Sequence, residues 1–199
     1  MPQSKTLEAV PAVSAAAVPA VFADAVWPSR SAVETGLQIL LGSLVMALSA
    51  QLVVRLPFTP VPITGQTFGV LFVGALLGKR RGAAAAALYL AEGFAGLPFF
   101  AAAVQLGPTL GYLLGFVPAA YLTGALAERG WDRKPWTAFA MTLLGSLPIF
   151  ALGLANLARF VPAGQLLVQG LWPFVAGDLV KSAAAAGLLP LGWRLFGRR

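Results

Sequence analysis

The chain has 199 residues, of which 58% are hydrophobic and 11% charged, and its mean hydropathy is +0.80. Soluble domains carry about 25% charged residues, so this composition predicts a membrane protein. Cysteine and histidine are absent, which excludes disulfides, thiol nucleophiles and the commonest transition-metal ligands. The excess of basic residues is explained better by membrane topology than by nucleic-acid binding.

The N-terminal 35 residues precede the first long apolar segment. Residues 9–25 are apolar and end in Ala-Asp-Ala, a pattern compatible with a cleaved signal peptide. However, Glu8 lies in the would-be basic region and two prolines interrupt the would-be apolar core. We therefore expect residues 1–35 to form a poorly ordered cytoplasmic tail, and residues 36–199 to form a single membrane domain.

Apolar runs of about 17–25 residues bounded by charges, Pro or Gly predict membrane-spanning helices. The chain has six candidates: Gly36–Val54, Gln66–Gly78, Gly82–Ala103, Gly107–Ala127, Trp136–Ala158 and Leu171–Phe196. The second has 13 residues and is too short to span a bilayer unaided. We expect it either to borrow residues from 59–65 or to form a tilted or partly re-entrant element. The fold prediction is an all-α integral membrane protein, a bundle of six transmembrane helices.

Basic residues lie mainly on one side of this predicted bundle. Lys and Arg on that side follow the second and fourth segments and close the chain, and two more precede the first segment: Lys79, Arg80, Arg81, Arg129, Arg133, Lys134, Arg194, Arg198, Arg199, Lys5 and Arg30. The opposite loops hold only Arg55 and Arg159. Because basic loops stay in the cytoplasm, the sequence predicts that both termini are cytoplasmic.

Two polar segments lie on the outer side in this topology. Residues 55–66 contain three prolines, which predicts a stiff, non-helical loop. Polar residues at its end and directly after it either satisfy backbone groups or face a ligand: Thr64, Gln66 and Thr67. The fourth segment opens with Gly-Pro-Thr, so its free N-terminal amides suit an anion. Tyr112, in the same segment, fits a ligand site or an interfacial aromatic belt equally well.

Asp178 and Lys181 are the only charges between Arg159 and Arg194. Residues three apart on a helix lie about 60° apart around its axis, so the two side chains share a face. Ionisable residues at membrane depth are costly and usually functional, which favours a ligand site over a structural ion pair. Glu92 is a third such residue, and three roles stay open for it: a protonated acid, a hydrogen bond across helices, or a pair with Lys181.

Four blocks carry a resemblance to a known family. They read Thr-Pro-Val-Pro-Ile-Thr-Gly-Gln-Thr from Thr59, Leu-Tyr-Leu from Leu88 followed by Gly-Leu-Pro, Gly-Pro-Thr-Leu-Gly-Tyr-Leu-Leu-Gly-Phe from Gly107, and Gly-Asp-Leu-Val-Lys from Gly177. In this order and spacing, from about Gly36 to the C-terminus, they resemble the biotin-specific substrate-binding (S) component of energy-coupling factor transporters.

The resemblance implies a six-helix protein of the bacterial cytoplasmic membrane, crossing the bilayer several times, that captures biotin outside and releases it inside. It also implies a transmembrane coupling subunit and two ATPase subunits as partners, although some members work without them. The implied ligand-binding residues are Asp178, Lys181, Tyr112, Thr109, Gln66 and Thr64, and no cofactor, metal or nucleic acid is expected.

Three other functions remain open from the residues alone. The first is an S component for another small vitamin, with the same fold. The second is an intramembrane enzyme that uses Asp178 and Lys181 as acid and base, although the lack of His and Cys argues against an enzyme. The third is a purely structural membrane subunit, which would bind no small molecule.

Overall fold

Helices dominate the computed structural model, which describes residues 20–101 and 106–197. Those ranges contain α1 (Phe22–Val26), α2 (Ala32–Ala50), α3 (Gln66–Phe94), α4 (Leu106–Leu114), α5 (Phe116–Ala127), α6 (Pro135–Leu157), α7 (Leu166–Gly170) and α8 (Trp172–Phe196). A two-stranded ribbon, β1 (Val53–Val54) and β2 (Ile63–Thr64), connects α2 to α3. The structure therefore confirms the all-α class.

Four stretches of the described chain are long and apolar enough to cross a membrane. They are Ala32–Ala50, Gly107–Ala127, Pro135–Leu157 and Ala163–Phe196. Each overlaps one of the apolar segments read from the sequence. Of the remaining two candidates, Gln66–Gly78 falls within α3, whereas Gly82–Ala103 begins in α3 and runs past its end, because the helix stops at Phe94.

The helix α2 begins earlier than the hydropathy alone indicated. Ser31 is its N-cap: the Ser31 hydroxyl accepts a hydrogen bond from the backbone N–H of Glu34, and the Glu34 carboxylate accepts one from the backbone N–H of Ser31. This reciprocal capping box satisfies donors that a helix start leaves open. Of the expected tail, residues 1–19 lie outside the described ranges, whereas α1 and the start of α2 lie within residues 20–35.

The chain reverses direction inside α3, at Gly78. Gly78 has φ 81° and ψ 175°, a conformation open essentially to glycine alone. A Cβ added to Gly82 would lie 2.8 Å from the Cα of Gly74, although residues eight apart in a straight helix are about 12 Å apart. Segments 66–77 and 79–94 are thus two helices folded against each other. The expected loop at residues 79–81 is wrong, because those residues form the first turn of the second segment.

The proline-rich loop is non-helical, as predicted, and the ribbon closes its base. Val53 pairs with Thr64 and Val54 with Ile63, in antiparallel register. The Thr59 hydroxyl donates to the backbone oxygen of Gln169 at 2.7 Å, which ties the loop to α7. The expectation that the second segment borrows residues 59–65 is wrong, because β2 occupies part of that stretch and the helix begins at Gln66.

The helices pack closely around two clusters of buried apolar side chains. The segments of α3 lie between α2 and α5, and α6 lies against α4, α5 and α8. A Cβ on Gly111 would lie only 2.2 Å from the backbone oxygen of Leu152, so α4 and α6 approach to backbone contact. Met46, Tyr89 and Ile149 are among the largest fully buried side chains of the first cluster.

Trp193 contacts residues of several elements at the end of the bundle where Gly78 also lies. Its ring meets Phe22 of α1 edge-on, with centroids 5.6 Å apart and an interplanar angle of 84°. The Arg133 guanidinium lies 4.6 Å from the Trp193 ring centroid. The indole N–H donates to Asp132 Oδ2, and Asp132 is fully buried with no partner on Oδ1. One indole therefore connects α1, α8 and the α5–α6 connection.

Candidate functional site

A cavity of about 540 Å³, including its mouth, lies between the proline loop and the helices α3, α4, α5, α6 and α8. Polar groups converge on it from separate elements, and the rest of the lining is apolar or aromatic: Val61, Pro62, Thr64, Gln66, Thr67, Thr109, Tyr112, Leu113, Phe116, Ile149, Phe150, Phe174, Asp178 and Lys181. All six residues proposed from the sequence are among them.

Asp178 and Lys181 both reach the cavity from one face of α8 without pairing with each other. Asp178 is buried, with 6% of its surface exposed, and lies beside Ser146 of α6. The Lys181 ammonium donates to the backbone oxygen of Thr64 at 2.8 Å and to the Thr67 hydroxyl at 2.7 Å. The ion pairs within 4.0 Å in the described ranges involve other residues. The structural ion pair considered for this pair is therefore wrong.

Thr64 and Gln66 line the cavity but already have protein partners. The Thr64 hydroxyl donates to Gln66 Oε1 at 3.0 Å, and the Gln66 amide donates to the Tyr89 hydroxyl. Tyr89 in turn donates to the backbone oxygen of Phe99 at 3.2 Å. Because a hydroxyl has one proton, Thr64 offers a ligand only acceptor capacity. This network runs from the ribbon to the stretch after α3 and fixes the cavity wall.

Tyr112 and Thr109 reach the cavity from α4. The Tyr112 hydroxyl donates to the backbone oxygen of Gly170 at 2.8 Å, and its ring lies 6.1 Å from that of Phe174. A Cβ on Gly153 would lie 2.3 Å from the Tyr112 ring, so α6 has no room for a larger residue there. Both Tyr112 and Thr109 are buried, which places Tyr112 in the bundle rather than in an interfacial belt.

Glu92 does not reach the cavity. Its Oε1 lies 3.4 Å from the Ser43 hydroxyl of α2, and Oε2 is buried with no partner. Of the three roles considered, the contact across helices is the one observed. The pairing with Lys181 is wrong, because the partners of that ammonium are Thr64 and Thr67.

Comparison with known proteins decides the family. A model of the BioY family matches residues 12–198. The chain belongs to the BioY family.

The matches to curated BioY relatives cover most of the length of those relatives. The biotin transporter BioY of Thermotoga maritima is 39% identical over 139 residues, which is 67% of this chain and 81% of that protein. The biotin transporter BioY of Rhodobacter capsulatus is 38% identical over 161 residues, which is 68% of this chain and 84% of that protein.

A solved structure shares the fold. The crystal structure at 2.1 Å of the S-component for biotin from an ECF-type ABC transporter matches with a TM-score of 0.71. The match covers 83% of this chain and 96% of that chain, at 23% sequence identity. At this identity the likeness establishes a common fold.

Several cavity residues of this BioY chain were not identified from the sequence. The aromatic walls are formed by Phe116, Phe150 and Phe174. An aromatic residue in an apolar helix does not differ in polarity from its neighbours, so the sequence does not single it out. Phe174 had one available signal, since it lies one turn before Asp178 on α8 and such residues share a face. Thr67 was considered as a ligand-facing residue without being assigned, and the structure places its hydroxyl on Lys181.

Proposed function

We propose that this protein takes up biotin, by capturing it in the cavity from the outer side of the membrane and releasing it inside. The observation that carries the proposal is the cavity itself: a carboxylate, an ammonium and aromatic walls line one shared space in a BioY-family fold. Relatives that are 38–39% identical to this chain over the aligned residues carry the name biotin transporter.

The lining matches the chemistry of biotin. Biotin has a ureido ring with two N–H donors and one carbonyl, an apolar thioether ring, and a carboxylate on a short chain. The Asp178 carboxylate suits the ureido donors, and the Lys181 ammonium suits a carboxylate or the ureido oxygen. Phe174 and Phe116 offer apolar surface for the ring system. Tyr112, Thr109, Gln66 and Thr64 complete the proposed ligand-binding set.

We further propose six membrane crossings with both termini in the cytoplasm. The reversal at Gly78 supports this count, because it divides α3 into two segments that run back to back. In this arrangement α2, segment 79–94, α4 with α5, α6 and α8 each cross once. Segment 66–77 is too short to span the bilayer unaided, and the non-helical ribbon and proline loop that precede it complete its crossing. Most of the basic residues then fall on the Gly78 side of the bilayer, as the positive-inside rule requires. Its location would be the bacterial cytoplasmic membrane.

The proposed partners are a transmembrane coupling subunit and ATPase subunits of an energy-coupling factor transporter. The solved structure of the same fold comes from such an assembly, which supports the proposal. Uptake of labelled biotin by cells that express this chain with and without those subunits would show whether it transports biotin alone.

Biotin binding by the detergent-purified chain tests the function. We expect wild-type protein to bind biotin, and Asp178→Asn and Lys181→Ala to abolish binding while the protein remains folded. Asp132→Asn is a matched control, because Asp132 is also a buried aspartate but lies outside the cavity lining. It should bind like the wild type.

The outcomes separate the alternatives. Binding of another vitamin, but not of biotin, in a thermal-shift ligand panel would favour the S component of different specificity. Binding that persists in both Asp178→Asn and Lys181→Ala would refute the site. Absence of any ligand would refute the uptake proposal altogether.

A further inference from the structure

The Lys181 ammonium is anchored on α3 and β2 rather than on its own helix. Lys181 lies on α8, but its two hydrogen-bond acceptors are the Thr64 backbone oxygen at 2.8 Å and the Thr67 hydroxyl at 2.7 Å. An ammonium has three donors, so these two bonds leave one for a ligand. Thr67 is the side-chain member of this anchor, because Thr64 contributes its main chain.

Without the anchor, Lys181 has a competing partner nearby. Asp178 is three residues earlier on the same helix, at a spacing that allows opposite charges to pair. On its other side, Lys181 borders a second groove whose lining is mainly apolar, including Leu52, Phe68 and Val180. That groove offers few hydrogen-bond acceptors that could replace the Thr67 hydroxyl. Without that hydroxyl, the Lys181 ammonium is therefore expected to pair with Asp178.

We propose that Thr67 is a positioning residue that holds the Lys181 ammonium away from Asp178, so that both charged groups remain free to meet the ligand. The proposal rests on biotin binding in the cavity. It explains why an acid and a base at helical spacing in an apolar bundle are not joined in an ion pair. A lysine side chain has a flexible four-carbon stem, so its direction depends on such an external acceptor.

The test compares three threonine substitutions in the purified chain. Thr67→Val removes the acceptor and keeps the shape of the side chain, whereas Thr67→Ser keeps the acceptor. Thr123→Val is the control for the same change of side chain, because Thr123 is a buried threonine whose hydroxyl has no partner and which lies outside the cavity lining. The dissociation constant of biotin is measured for each by calorimetry, and the apo melting temperature confirms that each variant is folded.

We expect Thr67→Val to weaken biotin binding about tenfold, which corresponds to about 1.4 kcal/mol. Thr67→Ser should remain within threefold of the wild type, and Thr123→Val should bind as the wild type does. A folded Thr67→Val variant within twofold of wild-type affinity would overturn the positioning role, and so would a Thr67→Ser variant as weak as Thr67→Val. Failure of the wild type to bind biotin would instead refute the proposed function, so the two failures are distinguishable.

Discussion

Replacement of Trp193 by phenylalanine should make the stability of this protein depend more strongly on pH. Asp132 is fully buried, and the Trp193 indole N–H is the donor to its Oδ2. Burial raises the pKa of Asp132 above that of an exposed aspartate, and the Trp193 hydrogen bond opposes that rise. The native state therefore favours the protonated acid, and it loses stability as the pH rises from about 4 through the raised pKa.

Trp193→Phe removes the donor that favours the Asp132 carboxylate. A hydrogen bond to a charged group contributes about 1.5–3 kcal/mol, whereas one to a neutral group contributes about 1 kcal/mol. The change in side-chain shape adds a cost of similar size that does not vary with pH. The two contributions differ by about 0.5–2 kcal/mol, and 1 kcal/mol shifts the melting temperature of a chain of this size by about 2–4 °C. The loss at pH 8 should therefore exceed that at pH 4.5 by about 1–8 °C.

Melting of the detergent-purified protein, followed at both pH values, measures this difference. Comparison of variant with wild type at each pH cancels the titration of other groups. In an Asp132→Asn background the extra loss at pH 8 should disappear, because the amide carries no charge. A loss of equal size at the two pH values, or a larger one at pH 4.5, would show that the hydrogen bond to Asp132 does not govern the effect.

Two further predictions concern glycines, each with Gly187→Ala as control, because a Cβ at Gly187 meets no atom within 4 Å. Gly78→Ala should cost about 1–3 kcal/mol, since φ 81° with ψ 175° is strained for any other residue, and unfolding in detergent measures it. Gly111→Ala should raise the biotin dissociation constant at least tenfold. The added Cβ would lie 2.2 Å from the Leu152 backbone oxygen, so α4 would have to move away from α6 and take Thr109 and Tyr112 with it. An unchanged affinity would contradict this prediction.

The approximate positions of the helices could be predicted because apolar membrane segments differ in hydropathy from the residues that flank them. The reversal at Gly78 could not, since a positive φ leaves no trace in hydropathy and three consecutive charges resemble a loop. The strands β1 and β2 have two residues each, too few to show an alternating pattern. Those features depend on backbone geometry rather than on residue polarity.

The polar part of the cavity could likewise be predicted, whereas its walls could not. Asp178 and Lys181 stand out because charge is expensive in an apolar helix. Phe150 and Ile149 do not stand out, because apolar residues face both lipid and cavity. That Lys181 bonds to Thr67, 114 residues earlier, depends on how α3 and α8 pack.

The absence of a loop at Gly78 places positive charge where a helix tolerates it least. The N-terminal end of a helix carries partial positive charge, yet segment 79–94 begins with three basic residues. Acidic residues offset this charge. The Glu128 carboxylate accepts a hydrogen bond from the Lys79 backbone N–H at 3.0 Å and forms an ion pair with the Lys79 ammonium at 3.0 Å. Asp24 forms an ion pair with Arg81 at 2.7 Å. Both ion pairs found in the described ranges are thus counterions to this one helix turn. In the proposed topology, basic residues that orient the chain in the bilayer lie at this sharp bend, and Glu128, directly after α5, and Asp24 of α1 neutralise two of them.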